Sequence, residues 1–302
     1  MTPRRSTLSV PGHVAKMHPK ALNSAADIVM LDLEDSVPPE AKEKARRQVV
    51  QTLQATEARP LAVRINALDT PYAYRDLLEV AEAAGDRIDT VVVPKVNDAG
   101  DIHFVDRLLA GIERHCHREK PVGIEASIET AEGLNAVRTI AVSSPRLRTL
   151  VFGIADYAAS VGARLVSLSG HGEKEDGIYP GHRWHHALSR IVMAAKANGL
   201  LAIDAPYGNF KDEDGLARAA ETACALGCDG KWAIHPAQID TINRVFTPSA
   251  EDIDRARRII AADEAARTGG RGAVAVDGRM VDQATVRLAR RVQETAAHLG
   301  LA

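Results

Sequence analysis

DIVMLDLEDSVPPEAKEKAR, residues 27–46, runs an apolar stretch into three carboxylates, Asp32, Glu34 and Asp35, followed by two prolines and a charged segment of helical composition. The first half reads as a buried strand and the second as a helix, the unit from which parallel sheets are built. Like charges repel and resist desolvation, so a buried strand that ends in carboxylates poses a choice. Either the cluster serves a cation and a substrate, or it is a solvated loop.

Outward from this unit the same alternation continues along the chain. Candidate strands fall at 7–10, 27–33, 61–65, 89–95, 122–129, 147–153, 200–205 and 230–236, with helical patterns such as 39–54, 71–85 and 212–227 between them. Parallel strands joined by crossover helices follow, and eight such units match the usual size of a (β/α)8 TIM barrel. A doubly wound open sheet is the competing topology. After the eighth unit the pattern changes. Residues 249–270 form a helical stretch that Ser249 can cap, 271–282 alternate around the hairpin signal Asp277-Gly278, and 283–300 are helical again. The expected division is therefore a catalytic barrel over 1–247 and a helix–hairpin–helix extension over 248–302, which packs on the barrel or on a neighbouring subunit.

Composition narrows the function. The 302 residues are 45% hydrophobic and 26% charged, with 38 Lys and Arg against 40 Asp and Glu, which suits a soluble globular protein. No basic block favours nucleic acid or a membrane surface, and no apolar run approaches the ~20 residues of a membrane span. Three cysteines without a CxxC pair point to a reducing, cytoplasmic setting.

A barrel carries its chemistry at the C-terminal ends of its strands. Read together, those ends supply Glu34 and Asp35, Arg64 and Asn66, Lys95, Glu125 and Glu129, Asp156, Asp204 and His235. Such an oxygen-rich rim suits a hard cation, because Mg²⁺ typically takes one or two protein carboxylates and leaves its other positions to water and substrate. Glu129 and Asp156 are the best placed ligands; the competing reading makes each a carboxylate in the first turn of the next helix. Arg64 sits inside an apolar strand, either in a structural ion pair with Glu34 or Asp35 or as the holder of an oxyanion. Asp32, deeper on the same alternation as Glu34, reads as structural. The histidines of HRWHH (182–186) lack the partners of a zinc site, and GGRGA (269–273) lacks the strand and the Lys-Ser/Thr of a phosphate loop.

RSTLSVPG, ADIVMLDLEDSVPPEAKEKAR, VRIN, PKV, IEASIETAEGL, LVFGIADYAASVG, DAPYGNFKDEDG, GKWAIHPAQI and GAVAVDGRMVD occur in this order from about residue 4 to about residue 298. The set resembles the citrate lyase β-subunit-like group of the HpcH/HpaI aldolase superfamily, and its later motifs lean toward malyl-CoA and citramalyl-CoA lyases. The resemblance implies a TIM barrel, Mg²⁺ (with Mn²⁺ as the alternative ion) and reversible carbon–carbon cleavage of a CoA thioester to an acyl-CoA and a 2-oxoacid. Glu129 and Asp156 then fall on the metal ligands, and Arg64 on the arginine that contacts the 2-oxoacid and the enolate. Glu34 and Asp35 fall on the acidic pair beneath the metal. Asp282 falls on the tail aspartate that acts as acid and base, usually in the site of an adjacent subunit, which implies a homotrimer or hexamer.

Arg5, Lys16, Lys20 and Lys95 are the candidates for the CoA phosphates. HVA at 13–15 and Pro19 depart from the family pattern in the segment that helps hold CoA in relatives. The long segment 167–184 is a candidate lid. Citrate lyase β-like subunits, 2-oxoacid aldolases and acyl-CoA thioesterases are the enzymatic alternatives, and a non-catalytic binding protein is the last.

Overall fold

A computed structural model describes residues 3–56, 60–164, 183–268 and 274–301. All eight expected strands form: β1 (Ser6–Pro11), β2 (Ile28–Asp32), β3 (Leu61–Arg64), β4 (Thr90–Val93), β5 (Gly123–Ile128), β6 (Leu147–Phe152), β7 (Leu201–Asp204) and β8 (Gly230–Ala233). They pair in sequence order and β8 returns to β1, closing a barrel rather than an open sheet. Every barrel pairing is parallel. Each strand is buried nearly throughout, because the barrel interior lies on one side and the crossover helices on the other.

Alternation decides which side chains enter the barrel. Ile28, Met30, Ala62, Val92, Val151, Ile203 and Trp232 pack together as its apolar filling. Two residues beyond Met30 and Ala62 come Asp32 and Arg64, which are register partners and so project inward at one height. Val92 is the partner of Glu125, which brings Glu125, Ser127 and Glu129 to the same interior. At the N-terminal end Arg4 pairs with Glu125, and with Asp89 at 2.5 Å. Thr90 Oγ1 donates to the same Glu125 carboxylate at 2.5 Å. Gly230 is needed here for space, since a Cβ would lie 1.9 Å from the Arg4 carbonyl oxygen.

The helices follow from local chemistry. Residues Lys42–Ala55 bury Ala45, Arg46, Val49 and Leu53, a stripe at helical spacing. The Asp98 carboxylate caps the helix Ala99–His115 while the Asp98 N–H donates back to the Asp101 carboxylate, and Gly227 closes the helix Glu213–Leu226 at φ 101°.

By chain contacts, residues Arg4–Asn243 form one compact unit and Met1–Pro3 with Arg244–Ala302 another. The division thus falls after Asn243, where the sequence reading placed it after residue 247. The second unit contains the helix Ala250–Thr268, the antiparallel hairpin β9 (Val274–Val276) and β10 (Arg279–Val281), and the helix Gln283–His298. Ser249 caps the first helix by accepting from the Asp252 N–H at 3.1 Å. Asp277 (φ 50°) and Gly278 (φ 73°) make the hairpin turn with both residues left-handed, as an Asp-Gly pair permits. The candidate lid lies outside the described residues except for Arg183 and Trp184, and so do His182 and GGRGA.

Candidate active site

Arg64 ends β3 with its guanidinium inside the barrel. Its Nε and Nη2 each donate to Asp32 at 2.7 Å, a bidentate pair. The remaining nitrogen, Nη1, lies 3.1 Å from Glu34 Oε2 and 3.6 Å from Asp35 Oδ2. The Trp232 ring faces the guanidinium at 5.6 Å. Sequence reasoning paired Arg64 with Glu34 or Asp35 and left Asp32 as structural. The structure makes Asp32 the principal partner, because strand register sets the two directly opposite each other. Burial works to raise the Asp32 pKa, but the Arg64 charge and hydrogen bonds prevail and hold it at about 2. Burial likewise opposes the charge on Arg64, and Asp32 with Glu34 and Asp35 overcomes it, raising its pKa.

The turn after β2 carries Glu34 and Asp35. Lys42 clamps this turn by donating from Nζ to the carbonyls of Leu33 at 2.9 Å and Glu34 at 2.8 Å. The Asp32 carboxylate accepts the N–H groups of Glu34 at 2.9 Å and Ser36 at 3.1 Å. Glu34 is buried and desolvation raises its pKa, while Asp35 is exposed.

Lys95 follows β4 with a left-handed backbone, φ 51°. Its N–H donates to Glu129 Oε1 at 2.7 Å. Its ammonium pairs with Glu34 and lies 3.5 Å from both Asp35 Oδ1 and Asp156 Oδ2. Burial works against this charge, but the Glu34 hydrogen bond and the surrounding carboxylates raise its pKa. Lys95, a candidate for the CoA phosphates, thus has its ammonium among carboxylates.

Glu129 is 3% exposed and occupies the space left by a glycine. A Cβ on Gly153 would stand 2.1 Å from Glu129 Oε2 and 2.4 Å from its Cβ. Desolvation pushes the Glu129 carboxyl up to about 7; Arg64 and Lys95 pull it down, and Asp156 and Glu34 push it further up. Glu129 is not a helix cap, because Thr130 fills that place for the helix Ala131–Ile140. Asp156 lies in the first turn of the helix Ile154–Ser160, half-buried, and makes no cap bond there.

These residues fit a hard divalent cation. A buried carboxylate whose charged form burial disfavours, seated against a Cα with no side chain and close to a second carboxylate, is an oxygen donor that a cation would stabilise. Among the described residues no three His, Cys, Asp or Glu side chains converge as a metal cage. Two carboxylates completed by water and substrate oxygens is the habit of Mg²⁺.

Several strand-end residues belong elsewhere. Arg5 sits at the N-terminal end of β1, where its Nε and Nη2 grip Asp27 at 2.9 and 2.7 Å. A candidate for the CoA phosphates, it lies at the end of the barrel opposite the carboxylate rim. Asn66 donates to Asp76 at 2.6 Å, and Lys231 donates to Asp204 at 2.5 Å. His235 caps a short 3-10 turn and stacks on Phe210 with ring centres 4.6 Å apart. Lys16 and Lys20 are exposed on the segment that follows β1. Asp282 lies in the second unit, where its carboxylate caps the helix Gln283–His298 by accepting from the Thr285 N–H at 2.8 Å. That bond, with the one from the Thr285 hydroxyl, lowers its pKa. Sequence reasoning missed Lys42, Trp232 and Gly153. Only Gly153 carries a signal in the sequence, a glycine directly after a strand and just before Asp156.

The sequence profile of the HpcH/HpaI aldolase/citrate lyase family matches residues 5–236. The L-malyl-CoA/β-methylmalyl-CoA lyase of Cereibacter sphaeroides is 42% identical over 97% of this chain and 95% of its own. A (3S)-malyl-CoA thioesterase from the same species is 35% identical over 96% of this chain and 93% of its own. Among solved structures, protein CitE of Mycobacterium tuberculosis in complex with magnesium, acetoacetate and coenzyme A has a TM-score of 0.77 and 31% identity, covering 97% of both chains. With its closed parallel barrel and its carboxylate rim, the chain belongs to the HpcH/HpaI aldolase/citrate lyase family.

Proposed function

We propose that the protein is a Mg²⁺-dependent carbon–carbon lyase that reversibly cleaves a malyl-CoA-type thioester to an acyl-CoA and a 2-oxoacid. The substrate is malyl-CoA, β-methylmalyl-CoA or citramalyl-CoA, giving acetyl- or propionyl-CoA with glyoxylate or pyruvate. The observation that carries this reading is Glu129 buried over Gly153, with Asp156, Lys95 and Arg64 around it, in a chain 42% identical to such a lyase.

Glu129 and Asp156 would hold the cation, which when bound supplies Lewis-acid polarisation of the substrate's hydroxyl oxygen and of the carbonyl it becomes. In cleavage the hydroxyl passes its proton to the Asp282 carboxylate, the bond from the carbinol carbon to the thioester α-carbon breaks, and the electron pair passes to the thioester enolate. Arg64 is fixed on two nitrogens by Asp32, so its charge needs no reorganisation as negative charge develops, a contribution of several kcal/mol in a water-poor site. Asp282 is the group that returns the proton to the α-carbon, by the family resemblance. Lys16 and Lys20 are left as the lysines for the CoA phosphates. The enzyme works as a homotrimer or hexamer in the cytoplasm, where its three free cysteines stay reduced.

A thioesterase is the second reading, favoured by the 35% identical relative. Turnover of malyl-CoA, β-methylmalyl-CoA and citramalyl-CoA with Mg²⁺ or with EDTA separates the two. A lyase yields a 2-oxoacid without free CoA, and a thioesterase yields free CoA without glyoxylate. No turnover of any of the three would leave a binding protein. Asp156→Ala should abolish the Mg²⁺-dependent cleavage and keep the fold; full activity in that variant would remove Asp156 from the ligand set.

A further inference from the structure

Lys95 occupies an uncommon place for a lysine. Its ammonium stands among Glu34, Asp35 and Asp156, and its own N–H binds the fourth carboxylate, Glu129. The residue carries a left-handed backbone, φ 51°, a conformation that side-chain-bearing residues adopt at a cost and that persists where the surroundings demand it. Arg64 is the other cation here, but Asp32 takes two of its nitrogens. Lys95 is thus the charge that directly offsets both Glu34 and Asp156.

We propose that Lys95 is a built-in counter-ion that orders the carboxylate ring before metal enters and limits how tightly the ring takes a divalent cation. It is a positioning residue, acting through Glu34, Asp156 and Glu129. The physical ground is repulsion: an ammonium 3.5 Å from a carboxylate that receives the cation lowers the local negative potential. The same charge also lowers the repulsion that four carboxylates exert on an anionic 2-oxoacid. A very tight, product-trapping metal site is thereby exchanged for one that admits an acid. This inference rests on the Mg²⁺-dependent reading of the site.

Calorimetric titration of the metal-free full-length protein with MgCl₂, without substrate, tests it. Wild type should bind Mg²⁺ and Glu129→Gln should lose that binding, which places the ion in this ring. Lys95→Met should bind Mg²⁺ at least about tenfold more tightly, Lys95→Gln should do the same, and Lys95→Arg, which keeps the charge, should stay within about threefold of wild type. Lys95→Met should also raise KM for the 2-oxoacid in the condensation direction. A merely structural lysine predicts the opposite sign, weaker Mg²⁺ binding in every variant including Arg, and that result or an unchanged affinity in Met and Gln overturns the proposal. If Lys95→Met does not fold, the Gln and Arg pair decides. Wild type that takes no Mg²⁺ brings down the metal-dependent function itself, a result distinct from an unchanged variant beside a binding wild type.

Discussion

Glu129 illustrates how a buried carboxylate is held at the expense of stability. Its carboxyl pKa rises from 4.5 to about 7 because burial penalises the charged form. A raised carboxyl pKa means the native state binds the extra proton more readily than the unfolded chain does. Its contribution to stability is therefore fully present below pH 4.5 and lost as pH rises through about 7. In EDTA, Glu129→Gln should match wild type near pH 4 and exceed it by about 3 kcal/mol above pH 8, read by denaturant unfolding. Equal stability at both pH values would mean that the charge is compensated. Asp32 runs the other way. Arg64 depresses its pKa from 3.8 to about 2, so its contribution is present above pH 3.8 and lost as pH falls through about 2. The position of Glu129 at a strand end was legible in the sequence. The Arg64–Asp32 pair was not, because the two are 32 residues apart and only register makes them neighbours.

At the scale of elements, strands place the site and the first residues beyond them complete it. Glu34, Lys95 and Glu129 all lie just past the ends of β2, β4 and β5, where the chain is free to turn toward the barrel axis. The N-terminus of the next element often shares the same few residues, as in the stretch from Phe152 through Gly153 to Asp156. Gly153 has an ordinary φ of −102°, so its role is space and not backbone freedom. Gly153→Ala would drive a Cβ to 2.4 Å from the Glu129 Cβ, which lies near the backbone and cannot swing away. The expected cost is about 1–3 kcal/mol of stability, together with loss of Mg²⁺ binding by calorimetry. A variant that bound Mg²⁺ normally would show that Glu129 is not seated as described. Strand existence was readable from β-branched runs between helical patterns. The lengths were overestimated by one to three residues at most ends, because flanking apolar residues extend the pattern without extending the ladder.

At the scale of the whole molecule, the chain divides into a barrel unit and a C-terminal unit, and the proposed acid–base group, Asp282, belongs to the second. Asp282→Asn keeps the cap acceptor for Thr285, so the second unit should stay folded. Acid–base loss at this position should lower kcat by about 100-fold or more with nearly normal 2-oxoacid binding. A rise in KM alone would remove Asp282 from proton transfer. The barrel and the hairpin were legible because each rests on short-range patterns, apolar β-branched runs between helical stretches and an Asp-Gly turn. The charges of the rim were legible as a set, but their pairing was not.

The sequence by itself determined the eight strand–helix units, the family and the residue types that reach the barrel mouth, since local alternation and ordered motifs carry that information. Only the tertiary structure decided which charge meets which. It set Asp32 on Arg64, sent Arg5 to the opposite end on Asp27, and surrounded Lys95 with carboxylates. The physical reason is that an ion pair depends on distance in space, and in a closed parallel barrel that distance is fixed by register and left-handed turns rather than by separation along the chain.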